Sequence, residues 1–163
     1  MEKYLSISGT IISIDAFPIS TNDTSACILI IGVQSQNRDL NYFILDQNTY
    51  FVNHITLKKG DYITAFYDST VPTPLIFPPR YRAVVITAPL RHSFVKVDYF
   101  NENLISGDGQ LKLNIGPRTR ILLPNNQTYL GHLGNQDLVV IYGPSTKSIP
   151  AQTTPIEVIV LCQ

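Results

Sequence analysis

Leu57-Lys58-Lys59-Gly60-Asp61, then Tyr62-Ile63-Thr64-Ala65-Phe66-Tyr67-Asp68, then a proline-dense segment, then Pro78-Pro79-Arg80-Tyr81-Arg82-Ala83-Val84-Val85-Ile86: this stretch decides the fold. Lys58 to Asp61 reads as a tight turn, with Gly60 where positive φ is needed. Tyr62 to Tyr67 is β-branched and aromatic, and so reads as a strand. Val71 to Pro79 holds Pro72, Pro74, Pro78 and Pro79. Proline lacks an amide hydrogen, so this segment is extended or polyproline-like and is not an inner strand. Arg82 to Thr87 resumes extended structure and closes a unit.

The same grammar holds outward from there. Residues 4–15 predict one long strand. Leu5, Ile7, Gly9 and Ile11 share a face, and then Ile12 and Ile14 move the apolar face across. A phase change in mid-strand means a bulge or bend, with Gly9 as the permissive residue. Further strands are expected at Cys27–Val33, Leu40–Leu45, Thr49–Phe51, Phe94–Phe100, Leu111–Ile115, Thr119–Leu123, Leu138–Tyr142 and Ile156–Leu161. A short strand is expected at Asn103–Ser106 and a loop over Gly143–Pro155. Nowhere does a ten-residue window keep a 3.6-residue period free of Gly, Pro or dense β-branching, so the chain is all-β.

Three blocks repeat in order. Tyr42–Leu45 followed by Thr49–Phe51 matches Lys112–Ile115 followed by Thr119–Ile121. Asp61–Phe66 matches Asp137–Tyr142, and Tyr81–Ile86 matches Ile156–Leu161. Each copy then has about five strands, with the long connector late in the copy. That layout predicts two tandem OB-like five-stranded β-barrels from an internal duplication, over residues 1–88 and 89–163. The alternative is a single larger β-barrel or sandwich.

Composition excludes several classes of function. Apolar residues are 44% of the chain, enough for a packed core. The 12 basic and 12 acidic residues cancel, and neither half is basic, so nucleic acid has no electrostatic purchase. Cys27 and Cys162 are the only cysteines and are expected as buried thiols, with a bridge between them left open. No window is apolar for long enough to make a transmembrane helix. The N-terminus lacks a basic region, apolar run and small-residue cleavage site in series, so no signal peptide is read and a cytoplasmic location is the default. His54, His92 and His132 lack ligand-like spacing, so no metal site is expected. No nucleophile elbow or phosphate loop is present, and the carboxylates do not pair by spacing. The chain is therefore read as no enzyme, and as needing no cofactor.

The combination Gly9-Thr10-Ile11, Phe43-Ile44-Leu45-Asp46-x-x-Thr49, Leu57-x-x-Gly60-Asp61, Ala65-Phe66-Tyr67-Asp68 and Pro72-x-Pro74-Leu75-Ile76-Phe77-Pro78-Pro79-x-Tyr81-x-Ala83 resembles uncharacterised β-domains of clostridial-type bacteria. Those domains sit beside copper-amine-oxidase-type N-terminal domains in secreted or envelope proteins. The resemblance covers roughly residues 6–88 and implies a bacterial protein of the envelope or a spore layer. It carries no catalytic residues over.

Candidate contact residues concentrate in the proline segment and its flanks. Asp68 is placed to anchor Arg80 or Arg82, or to meet a ligand. Leu75, Ile76 and Phe77 either rigidify a barrel mouth or form an apolar tongue toward a protein partner or a second copy. Arg80, Tyr81 and Arg82 have no counterpart in the second copy. The expected function is a non-enzymatic structural or protein-interaction module. The alternative is an oligonucleotide- or oligosaccharide-binding OB-fold protein, in which exposed aromatics with basic neighbours would stack on the ligand.

Overall fold

The structure, a computed structural model, describes residues 2–18 and 20–163. The chain is all-β, with thirteen strands, one 3-10 turn and no α-helix among the described residues. It divides into two compact units, Tyr4–Pro89 and Leu90–Gln163, with Lys3 grouped with the second.

The N-terminal unit is built on β1 (Tyr4–Ala16). Its first half pairs with β5 (Tyr62–Asp68), and its second half pairs with β2 (Leu29–Gln34). The register slips between Ile11 and Ser13, where the apolar face changes sides. Ile11 stays in the core and Ile12 turns outward. Gly9 serves a different purpose from the bend expected of it. A Cβ there would lie 2.4 Å from the Gln34 carbonyl oxygen and 2.9 Å from Val33 Cγ1, so the missing side chain lets β2 approach.

From β2 the sheet continues to β3 (Leu40–Leu45), which pairs in parallel with β6 (Arg80–Arg82). On the other side β5 pairs with β7 (Val85–Thr87), and β7 pairs in parallel with β4 (Tyr50–Phe51). The sheet has seven strands in the order β4-β7-β5-β1-β2-β3-β6, and its ladder is not closed into a barrel. Only Ala83 and Val84 separate β6 from β7. The Ala83 amide donates to Ile44 on one side and the Val84 amide to Phe66 on the other. Ile11, Ile31, Val33, Phe43, Ile63 and Ile86 form the centre of the core.

The C-terminal unit holds β8 (Phe94–Phe100), β9 (Leu111–Leu113), β10 (Arg120–Leu122), β11 (Gln136–Tyr142), β12 (Ala151–Thr153) and β13 (Glu157–Val160). Four strands form one sheet, β10-β13-β11-β8, and β12 pairs with β9 in a second. Phe100, Leu113, Leu138, Val140, Val158 and Val160 pack its core.

Four of the N-terminal unit's six strand pairings have counterparts in the C-terminal unit. The parallel pairs β3–β6 and β4–β7 correspond to β9–β12 and β10–β13. The antiparallel pairs β1–β5 and β5–β7 correspond to β8–β11 and β11–β13. Individual bonds agree too. The Thr49 hydroxyl donates to the Ala83 carbonyl at 2.8 Å, and the Thr119 hydroxyl donates to Pro155 at 2.7 Å. The Tyr50 amide reaches Val84 and the Val84 amide reaches Phe66, just as Arg120 reaches Ile156 and Ile156 reaches Ile141.

These registers correct the sequence alignment. The first block serves as the frame of comparison. Tyr42 faces Arg80, and Lys112 faces Gln152. Phe43 faces Tyr81 and Leu113 faces Thr153, so Tyr81 stands level with Thr153 rather than Ile156. The apolar run Ile156–Leu161 drew that block three residues too late. In the second block Ala65 stands level with Val140, since Ala65 pairs with Ile86, the parallel partner of Phe51, and Val140 with Val158, the parallel partner of Ile121.

Other expectations are also corrected. The strand expected at Arg82–Thr87 is two strands, and the loop expected over Gly143–Pro155 contains β12. Asn103–Ser106 makes only isolated bridges, Phe100 with Ser106 and Ile105 with Lys112. Cys27 and Cys162 are free and exposed, because each lies just beyond a strand end. Asp61 and Asp137 do not share a role. Asp61 accepts from the Lys58 amide in the turn, whereas Asp137 is buried in β11 against Lys3 at 2.8 Å. Gly60 does take the positive φ its turn demands, at 92°. Among the described residues no helix is long and apolar enough to cross a membrane.

Candidate functional site

The site begins with the buried ring of Phe43 on β3. Parallel pairing sets Tyr81 of β6 directly beside it, with centroids 5.8 Å apart. Tyr67, near the end of β5, stacks on Tyr81 at 4.1 Å with 20° between the planes. Three aromatic residues from three strands therefore make one stack whose outer members stay half-buried. Offset aromatic pairs of this kind add about 1 kcal/mol each beyond their burial. Burial pushes the Tyr67 hydroxyl above its ordinary pKa, and the neighbouring Tyr81 adds to the rise.

Arg82 stands one strand position beyond Tyr81 and forks onto Asp46. Its Nε donates at 2.8 Å and its Nη2 at 3.2 Å, to separate carboxylate oxygens. Asp46 follows β3 in the turn and also accepts from the Asn48 amide. The Arg82 hydrogen bond, with help from Asn48 and Thr49, holds the Asp46 carboxyl below its ordinary pKa despite partial burial. In the C-terminal unit the positions equivalent to Asp46 and Arg82 are Gly116 and Thr154, so the ion pair belongs to the N-terminal unit alone.

Asp68 does not anchor either arginine. Its Oδ1 accepts from the Thr70 amide at 2.9 Å and the Thr70 hydroxyl at 2.6 Å, which turns the chain out of β5. Arg80 faces another way, with its guanidinium 5.3 Å from the centroid of the Phe17 ring. Its Nε is buried and has no hydrogen-bond partner among the described residues.

The fold thus gathers Asp68, Tyr81 and Arg82, together with Tyr67, Val71 and Thr73, around a cleft of about 50 Å3. Ligand pockets run to about 300 Å3 and above, so this one holds a water or two and no sugar ring or base. Beyond it the proline loop carries Leu75 and Phe77 into solvent, at 104% and 92% exposure, with Ile76 half-exposed at 47%. No charged residue lies between Asp68 and Arg80. The chemistry on offer is apolar contact, with a rim of tyrosine and a neutralised ion pair.

Sequence reasoning reached Asp68, Tyr81 and Arg82 as neighbours but missed Tyr67 and Asp46. Asp46 and Arg82 are 36 residues apart, and only the parallel register of β3 and β6 joins them. Tyr67 had one available signal, its place at the strand end facing the proline loop. Among the described residues no three His, Cys, Asp or Glu side chains converge as a metal site would require. No family model, curated protein or solved structure matches the chain.

Proposed function

We propose that this chain is a non-enzymatic interaction module whose contact surface is the Leu75-Ile76-Phe77 tongue, and that the tongue docks on a second copy of the chain. The observation that carries this is the full exposure of Leu75 and Phe77 on a stiffened loop without charge. Apolar side chains held in water on a rigid loop lose little entropy when covered, which favours association. The formal net charge of zero leaves little repulsion between copies. The small cleft beside the loop does not suit a small-molecule substrate.

The framework of the module is proposed to be two OB-like barrels derived by duplication. Three features support this reading. In the N-terminal unit the first strand serves two neighbours, both units have the same parallel pairs, and in the N-terminal unit Ala83 and Val84 carry the chain from the edge strand β6 to β7, which lies next to the opposite edge. A bacterial envelope or spore setting is part of the proposal and rests on the resemblance of residues 6–88 alone.

The test is size-exclusion with light scattering on the wild type and on the double variant Leu75→Ser, Phe77→Ser. The wild type is expected to show a mass that rises with concentration, and the variant to stay monomeric with unchanged thermal unfolding. Equal masses for both proteins would remove the tongue from any role in self-association.

A further inference from the structure

The second unit carries its own cleft at the place equivalent to the first, but with different walls. It lies where β12 runs parallel to β9 and where the chain leaves β11. It is a shallow, widely open groove of about 560 Å3. Asn114, Ser145, Thr146, Gln152, Thr153 and Thr154 line it together with the Pro144 ring. We infer that this cleft binds a neutral saccharide.

Not one lining residue is charged, so a phosphate, a carboxylate or a nucleic-acid backbone would enter without a counter-ion. Apolar ligands are opposed by the amide and hydroxyl groups they would strip of water. A sugar suits both facts, because each hydroxyl both donates and accepts.

The walls are also organised. The Asn114 Nδ2 donates to the Gln152 Oε1 at 3.1 Å, which fixes the two amides side by side across β9 and β12. That leaves the Asn114 Oδ1 as an acceptor and the Gln152 Nε2 as a donor, the paired functions that adjacent sugar hydroxyls require. The backbone beneath is held by the Asn114 amide donating to Thr153 at 2.8 Å and by the Thr153 hydroxyl donating to Pro144 at 2.8 Å. The Thr146 hydroxyl accepts from the Gln152 amide at 2.9 Å, so the far wall is tied to the same strand. Pro144 and the threonine methyls supply apolar surface for the C–H faces of a sugar ring.

The register explains why the two clefts differ. Thr153 stands where the N-terminal unit has Tyr81, and Thr154 where it has Arg82. At these positions the first unit has instead the Tyr67–Tyr81 stack and the Asp46–Arg82 pair.

The test is NMR on the isotope-labelled full chain, titrated in turn with maltohexaose, cellohexaose and chitohexaose, and separately with oligothymidylate. At least one neutral hexasaccharide at millimolar concentration is expected to move the side-chain amide signals of Asn114 and Gln152. Asn114→Ala and Gln152→Ala remove exposed side chains, so the spectrum stays folded while the apparent Kd weakens about tenfold or more, one well-placed hydrogen-bond pair. Absence of movement with all three sugars overturns the assignment. So does movement of these signals by oligothymidylate alone, or binding that both variants leave unchanged.

Discussion

One missing methyl decides whether the first strand can pair. Gly9→Ala would place a carbon 2.4 Å from a backbone carbonyl oxygen that the sheet holds in place. The strands must part, at a cost of roughly 3 kcal/mol, the upper end of ordinary overpacking. Urea unfolding measures it, and a loss well under 1 kcal/mol would mean that β2 has room to move. The sequence pattern marked Gly9 correctly as special but for the wrong reason, because close approach of a distant strand leaves no local trace. Asp46 gives the charge-state counterpart. Its folded pKa lies below the ordinary 3.8 because Arg82 hydrogen-bonds its charged form. Its contribution is therefore complete above the unfolded pKa and is lost as pH falls through the folded one. Unfolding curves of wild type and Asp46→Asn are expected to converge as pH drops below about 3.8 and to separate above it. A pH-independent gap would show that the fork onto Arg82 is not what stabilises the turn. Asp98 has the opposite sign. Burial raises its pKa, so ionising it removes stability as pH rises through the carboxylate range.

At the scale of elements, the turns after β3 and after β9 are each locked by a threonine. Thr49 and Thr119 accept from Asp46 and Gly116 amides, both at 3.1 Å, and donate to the carbonyls that precede β7 and β13. Thr49→Val and Thr119→Val keep the shape and leave those carbonyls without a donor. Each is expected to lose about 1–2 kcal/mol, and to lose similar amounts, by chemical denaturation. A large loss at one site and none at the other would contradict the shared latch. The strands that are long and β-branched, such as β5 and β8, were legible because their own side chains decide them. The proline loop was legible for the same reason, since its backbone has few options. β12 was not. Three residues between Pro150 and Pro155 read as loop until a parallel neighbour supplies the hydrogen bonds. The Tyr67–Tyr81 stack and the Asp46–Arg82 pair were hidden likewise, because register across a parallel pair is not written in either segment.

For the whole molecule, the proposed repeat rests on strand order in the sequence and on four shared strand pairings in the structure. Apolar strands resemble each other, so the blocks could slide by one or three residues without penalty in the sequence. The hydrogen bonds do not slide, and they set the equivalence. The exposed tongue and the polar cleft occupy different units. The central claim is that a second copy covers Phe77. The chain contains no tryptophan, so Phe77→Trp makes a single reporter at the tip. Its fluorescence is expected to be that of a water-exposed indole when dilute, and to shift to shorter wavelength as unlabelled wild type is added. Emission that stays at the exposed position at every concentration would contradict the account.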